Sequence, residues 1–151
     1  MNVRLANSQD LLPLELMYQS IVKQMEQEGL AIWDDVYPCI CFPQDVKKQE
    51  LYVIREGRTY ISAFVLSEAH EGQEDIMWEY PQARAFYIDR FGVNVAVRAK
   101  GMGMYTLQEA VKEVKKKGEI LCDYLLLRII KKPSIYMRSL DFKELMVYIM
   151  K

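Results

Sequence analysis

Residues 98–103 read Arg98-Ala99-Lys100-Gly101-Met102-Gly103, a basic turn with two glycines one residue apart. Between a strand and a helix, such a turn is an anion site. The first N–H groups of a helix have no intrahelical partner, and the helix dipole adds partial positive charge. Gly101 and Gly103 lack a Cβ, so a phosphate can approach the backbone, and Arg98 and Lys100 supply mobile positive charge. Two common phosphate loops do not fit. A Walker A loop needs Lys-Ser/Thr after its glycine, and none follows here. The dinucleotide fingerprint needs a third glycine early in a βαβ unit, whereas this turn has two and comes late in the chain.

The flanking elements are legible. Phe86, Tyr87, Ile88, Phe91 and Val93 give Ala85 to Val93 the β-branched and aromatic character of a strand. A helix is predicted from Met102 to about Lys117, with Leu107, Ala110, Val111 and Val114 toward the sheet. Its water face carries Glu109, Lys112, Glu113 and Lys115 to Lys117, with Glu113 and Lys117 spaced to pair. Upstream, Val3 to Ala6 reads as a first strand. Asn7 or Ser8 can cap a helix whose stripe is Leu11, Leu14, Tyr18, Ile21, Val22 and Met25, ending at Gly29. The stretch from Ala31 to Pro43 is an irregular connection or a short helix, and Asp45 to Gln49 a helical turn. Glu50 to Arg55 and Arg58 to Leu66 form a hairpin of half-buried strands turning on Glu56-Gly57. An acidic surface excursion fills Ser67 to Gln82. The apolar run from Glu119 to Ile130 reads as a strand covered on both faces. A short helix from Pro133 and a closing strand from Phe142 to Met150 follow.

Composition sets the frame. The 151 residues suit one α/β domain over 1–151, and 27% charged with 51% hydrophobic residues is ordinary for a globular chain. A net charge of −1 gives no basic field for nucleic acid. No apolar run is long enough for a bilayer, and Met1 to Ala6 lacks a signal-peptide core, so a cytoplasmic location is expected. Cys39, Cys41 and Cys122 are expected to be reduced and buried. Cys-x-Cys is a poor zinc spacing and His70, a loop residue, is the only histidine, so no metal is expected.

Residues 98–103 match Arg/Gln-x-x-Gly-x-Gly/Ala, the pyrophosphate loop of the GCN5-related N-acetyltransferases (GNAT), at every specified position. Other segments are similar to this family. Phe91-Gly92-Val93-Asn94-Val95 resembles its Leu-Ala-Val-x-Pro strand without the proline. Trp33-Asp34-Asp35-Val36-Tyr37-Pro38, Asp45-Val46, Leu51-Tyr52-Val53 and Trp78 resemble a subgroup of it, and Ser139-Leu140-Asp141-Phe142 its Leu-Gly-Phe helix ending. The resemblance implies a mixed, mostly antiparallel sheet of about six to seven strands flanked by helices. It also implies that strands four and five splay apart to form a cofactor cleft. Acetyl-CoA would be the cofactor, with its pantetheine along the backbone of Phe91 and Val93. Its pyrophosphate would lie on the amides of Arg98, Ala99, Lys100, Gly101, Met102, Gly103 and Met104.

The implied activity is acetyl transfer to a primary amine of a small molecule or peptide, by direct attack in a ternary complex. The amine must lose a proton and the leaving thiolate must gain one. Asp89 is the candidate base, with Asp75 and Glu79 as weaker ones. In a regular strand Asp89 shares a face with Tyr87, Phe91 and Val93, and a bulge at Gly92 would change that. Pairing of Asp89 with a nearby arginine is the alternative to a catalytic role. The family's acid tyrosine falls at Met137 or Arg138 here, so Tyr136 is the nearest candidate. Trp33, Tyr37, Trp78 and Tyr80 are candidates for the acceptor wall or, equally, lids over the core. Without an acid, the chain would be a catalytically weak acyl-CoA-binding or regulatory module. Neither nucleic acid nor membrane is an expected partner, and a homodimer is left open.

Overall fold

The computed structural model describes residues 1–68, 86–97 and 101–117, together with the backbone of 125–126. Its elements in chain order are β1 (Asn2–Leu5), α1 (Leu11–Gln27), α2 (Phe42–Lys48), β2 (Leu51–Glu56), β3 (Thr59–Ser67), β4 (Phe86–Val93), α3 (Met102–Lys116) and β5 (Leu125–Leu126). The five strands form one sheet in the order β1-β2-β3-β4-β5. The first four run antiparallel, and β5 lies parallel to β4 at Phe86 and Tyr87. Helix α3 makes the crossover that a parallel pair requires. The rest of the expected fifth strand, the closing helix and strand, and the splay between strands four and five lie outside the described residues.

Each helix buries the stripe that its spacing dictates. Asn7 caps a 3-10 turn, Ser8–Asp10, that leads into α1, with its side chain accepting from the Gln9 N–H at 2.9 Å. From α1, Leu14, Met17, Tyr18, Ile21, Val22 and Met25 are buried. Most of them join Phe42, Leu51, Val53, Ala63 and Val65 in a core on one face of the sheet. On the other face, Leu107, Ala110, Val111 and Val114 of α3 pack on Tyr52, Ile54, Phe64, Leu66, Phe86 and Ile88. Helices on both sides leave the central strands little exposed side. Leu51 to Ile54 and Ile61 to Leu66 are therefore buried throughout, not half-buried as expected.

Asp10 ties β1 and α1 to β3. Its carboxylate accepts two hydrogen bonds from Arg4 at 2.7 Å each, one from the Tyr60 hydroxyl at 2.5 Å and one from the Asn7 N–H at 2.8 Å. Burial alone would raise its pKa, but these donors together hold it well below the carboxylate range.

Local details depart from expectation. The hairpin turns on Gly57 and Arg58, with Glu56 and Thr59 paired and Gly57 at φ 58. On α3, Glu113 pairs with Lys116 at 2.6 Å, one residue short of Lys117, which lies over the Tyr52 ring. Cys39 and Cys41 are half-buried in a 3-10 turn rather than fully enclosed.

Candidate functional site

Strand β4 carries a bulge. Val65 and Ala63 of β3, two residues apart, oppose Asp89 and Gly92, three residues apart. Arg90 takes up the extra length in a left-handed conformation, φ 48. That conformation costs a residue other than glycine about 1–2 kcal/mol. Bonds at both ends hold it. The Tyr18 hydroxyl donates to the Arg90 carbonyl and lies 3.2 Å from the Ala63 carbonyl. The guanidinium meets Asp89 at 2.6 Å and Asp45 of α2 at 3.1 and 3.3 Å. Its Nε, 3.1 Å from Asp45 Oδ2, is misaligned for a linear hydrogen bond, so that contact is Coulombic.

The bulge decides which side chains share a face. Asp89 and Gly92 lie toward α1 and α2, opposite Val65 and Ala63, whereas Phe91 packs in the core beneath α3. Asp89 therefore does not share a face with Phe91, as a regular strand would require. The expected alternative for Asp89, pairing with an arginine, is present. Its side chain is 36% exposed and that of Arg90 16%. Asp45 is buried, which raises its pKa, and the Arg90 charge offsets part of this. Burial raises the Tyr18 pKa well above its ordinary value, so the phenol stays a donor.

Tyr37 and Trp33 stand beside this cluster. Burial, and next the Asp89 charge, raise the Tyr37 pKa. Its peptide bond to Pro38 is cis, and its N–H donates to Asp34 Oδ1 at 2.7 Å. The Trp33 ring packs 5.4 Å from that of Tyr18, partly buried against the core on the α1 face.

Helix α3 begins at Gly101, φ 96, with no side-chain cap. Its first intrahelical bond runs from the Tyr105 N–H to the Gly101 carbonyl at 2.9 Å, which leaves the earlier N–H groups without an intrahelical acceptor. Among the described residues, a Cβ at Gly101 or Gly103 would meet nothing within 4 Å. Thr106 fixes the turn from beneath. Its hydroxyl lies 2.9 Å from the Met102 carbonyl and 2.8 Å from Ser62 Oγ of β3. A carbonyl only accepts, so Thr106 donates to it and accepts a hydrogen bond from the Ser62 hydroxyl.

No protein-family model matches the chain, and no curated protein matches it. Solved structures do match. An acetyltransferase of the GNAT family from Streptococcus agalactiae superposes with a TM-score of 0.67 at 19% identity, over 76% of this chain and 70% of that one. This chain has the GNAT acetyltransferase fold. A GNAT-family acetyltransferase from Listeria monocytogenes matches with a TM-score of 0.65 at 16% identity, over 77% and 70% of the two chains. A Clostridium acetobutylicum protein, described as a predicted acetyltransferase and solved with acetyl-CoA, gives 0.59 at 18% identity over 93% and 88%.

Within this GNAT fold, the structure brings Asp89, Tyr37 and Trp33 to one side of β4. It places Phe91 on the other, and Gly101, Met102, Gly103 and Met104 at the start of α3. Arg98, Ala99, Lys100, Asp75, Glu79, Trp78, Tyr80 and Tyr136 lie outside the described residues. Sequence reasoning missed Tyr18, Asp45 and Arg90 as a unit. The available signal was an arginine beside Asp89 inside the otherwise apolar strand β4. Among the described residues, no group of three side chains could hold a metal ion, and no helix is long and apolar enough to cross a membrane.

Proposed function

We propose that the chain is an acetyl-CoA-dependent N-acetyltransferase that acts on a primary amine of a small molecule or peptide. One observation carries the reading. Following β4, α3 opens on a left-handed glycine, its first N–H groups have no intrahelical acceptor, and among the described residues nothing lies within 4 Å of a Cβ placed there. That arrangement suits a diphosphate. The likeness of the fold to acetyltransferases, one of them solved with acetyl-CoA, supports it. Arg98 to Met104 would hold the pyrophosphate, and Phe91 and Val93 would pair with pantetheine. Bound acetyl-CoA supplies the activated thioester. In the ternary complex the amine nitrogen attacks the thioester carbon, the carbon–sulfur bond breaks, and the thiolate leaves. Asp89 would take the amine proton, directly or through water, and Tyr136 would return one to sulfur. Trp33, Tyr37, Trp78 and Tyr80 would wall the acceptor site.

A specific observation favours a second reading. The Asp89 carboxylate already accepts from the Arg90 guanidinium at 2.6 Å on one oxygen and from the Arg90 N–H at 2.8 Å on the other, so neither oxygen is free of Arg90 to meet an incoming amine. On that reading the chain binds acyl-CoA with little turnover. Isothermal titration of acetyl-CoA into wild type and Gly101→Glu tests the cofactor site. Binding that the substitution abolishes supports both readings, and no binding to wild type sinks both. Turnover with a panel of amines then separates them.

A further inference from the structure

The bulge in β4 is over-determined, and what holds it comes from two separate helices. Tyr18, in α1, bonds the carbonyl of Arg90. Asp45, in α2, is buried and faces its guanidinium. A strained residue persists only where its surroundings fix it, and such residues mark places where backbone direction matters. Here the direction has a visible consequence. It puts the Asp89 carboxylate on the α1 side and leaves Phe91 on the α3 side. We propose that Tyr18 and Asp45 are positioning residues: together they latch the Arg90–Phe91 peptide and so set the register of the β4 segment that receives acetyl-CoA.

This rests on the reading of Phe91 and Val93 as the cofactor's backbone partners. The geometry supports a latch over simple packing. Tyr18 is fully buried between Trp33 and Phe42, with ring centroids 5.4 and 4.9 Å away, so its hydroxyl is delivered to a fixed point. Gly92 completes the fit. A Cβ there would lie 2.7 Å from the Tyr18 ring, so only a glycine lets the strand pass close enough for the hydroxyl to reach Arg90. Loss of the hydroxyl takes the donor from the Arg90 carbonyl and frees the Arg90–Phe91 peptide to rotate, which loosens the bulge that keeps Asp89 and Phe91 on opposite faces.

The test uses the whole chain with Tyr18→Phe, which keeps the ring, and Asp45→Asn, which keeps the size. Ile21→Val on the same helix is the control for lost stability. Amide hydrogen exchange is followed at 89–93, and acetyl-CoA affinity by titration. Exchange at 89–93 should rise at least tenfold in both latch variants but not in the control, and acetyl-CoA affinity should fall about tenfold. Unchanged local exchange in the latch variants, or an equal rise in the control, would overturn the latch. Altered exchange with wild-type cofactor affinity would overturn its link to the cofactor. A wild type that binds no acetyl-CoA would fail the functional reading, and the exchange data would still decide the latch. Should Tyr18→Phe not fold, Asp45→Asn carries the same test.

Discussion

Replacing Gly92 by alanine should be far more damaging than adding a methyl group to a strand. The added Cβ would stand 2.7, 2.8 and 2.9 Å from Cζ, Oη and Cε1 of Tyr18. Carbon atoms pack at about 3.5–4.0 Å, so each contact is short by roughly an ångström. The ring cannot withdraw. It is fully buried, Trp33 and Phe42 flank it, and its hydroxyl is bonded to the Arg90 carbonyl. The strand cannot withdraw without breaking the pairing of Gly92 with Ala63. Overpacking in a closed core costs about 1–3 kcal/mol, and the upper end applies where neither side can yield. For a chain of this size, about 3 kcal/mol corresponds to a melting temperature lower by roughly 6–12 °C. The assay is thermal and urea unfolding of wild type, Gly92→Ala, Tyr18→Leu and the double variant. Removing the ring should relieve the clash, so the double variant should be at least about 1.5 kcal/mol more stable than the two separate losses would give. A Gly92→Ala protein within about 0.5 kcal/mol of wild type would refute the close approach and, with it, the fixed placement of Tyr18.

Asp10 has its folded-state pKa depressed, so its contribution is present above the unfolded carboxylate pKa of about 3.9 and is lost as pH falls through the acid range. Asp10→Asn should flatten the fall of stability below about pH 4, measured by urea midpoints, and an unchanged slope would exclude Asp10 as its source. Gly101→Ala should cost about 1–2 kcal/mol because φ is 96, whereas Gly103→Ala, on the helix with no described residue within 4 Å of the added Cβ, should leave the melting temperature unchanged or higher. Both should weaken acetyl-CoA binding, and a Gly103→Ala protein of wild-type affinity would remove the diphosphate from this turn. Burial, and next the Glu15 charge, push the Cys39 thiol up to about 11, so its alkylation at pH 8 should run about a hundredfold slower than that of a free thiol. A rate in peptide mapping equal to that of a free cysteine would refute this. Arg90→Gly relieves about 1–2 kcal/mol of backbone cost but strands the buried Asp45 charge, worth about 3–5 kcal/mol, so the variant should be less stable at pH 7. That deficit should shrink as pH falls and Asp45, its pKa raised, takes up a proton; a deficit independent of pH would refute the pairing.

The sheet-facing side of α3 was legible because Leu107, Ala110, Val111 and Val114 repeat at helical spacing, and burial follows that spacing directly. The β2–β3 hairpin was legible from its apolar runs and its glycine. Its burial on both faces was not, because β2 and β3 read alike whether one helix layer covers them or two. The face of Asp89 was illegible for a different reason. Alternation assigns residues 89, 91 and 93 to one side, and a single extra residue at Arg90 cancels the rule. Nothing local marks that residue, since an arginine is an improbable choice for a left-handed position. The Tyr18 hydroxyl was hidden as well. Its partner is a backbone carbonyl 72 residues further along, and a carbonyl carries no side-chain signature.

The placement of polar groups around β4 is a consequence of that single irregularity. Toward α1 and α2, two carboxylates share one guanidinium, and the more exposed carboxylate, Asp89, faces the side where Tyr37 lies. Toward α3, the strand offers apolar side chains, and the helix beyond it offers first-turn N–H groups with no intrahelical acceptor. An ammonium is favoured near the first environment and a diphosphate near the second, because each meets charge of the opposite sign. A regular strand would have put Asp89 beside Phe91, with the carboxylate on the α3 side, where it would repel an anion. The left-handed Arg90 separates the two, and the side chain that makes its backbone strained is also the one that neutralises Asp45. Glycine would supply the turn without the charge, and lysine would supply the charge without the two-sided geometry that lets one group meet Asp45 and Asp89 together.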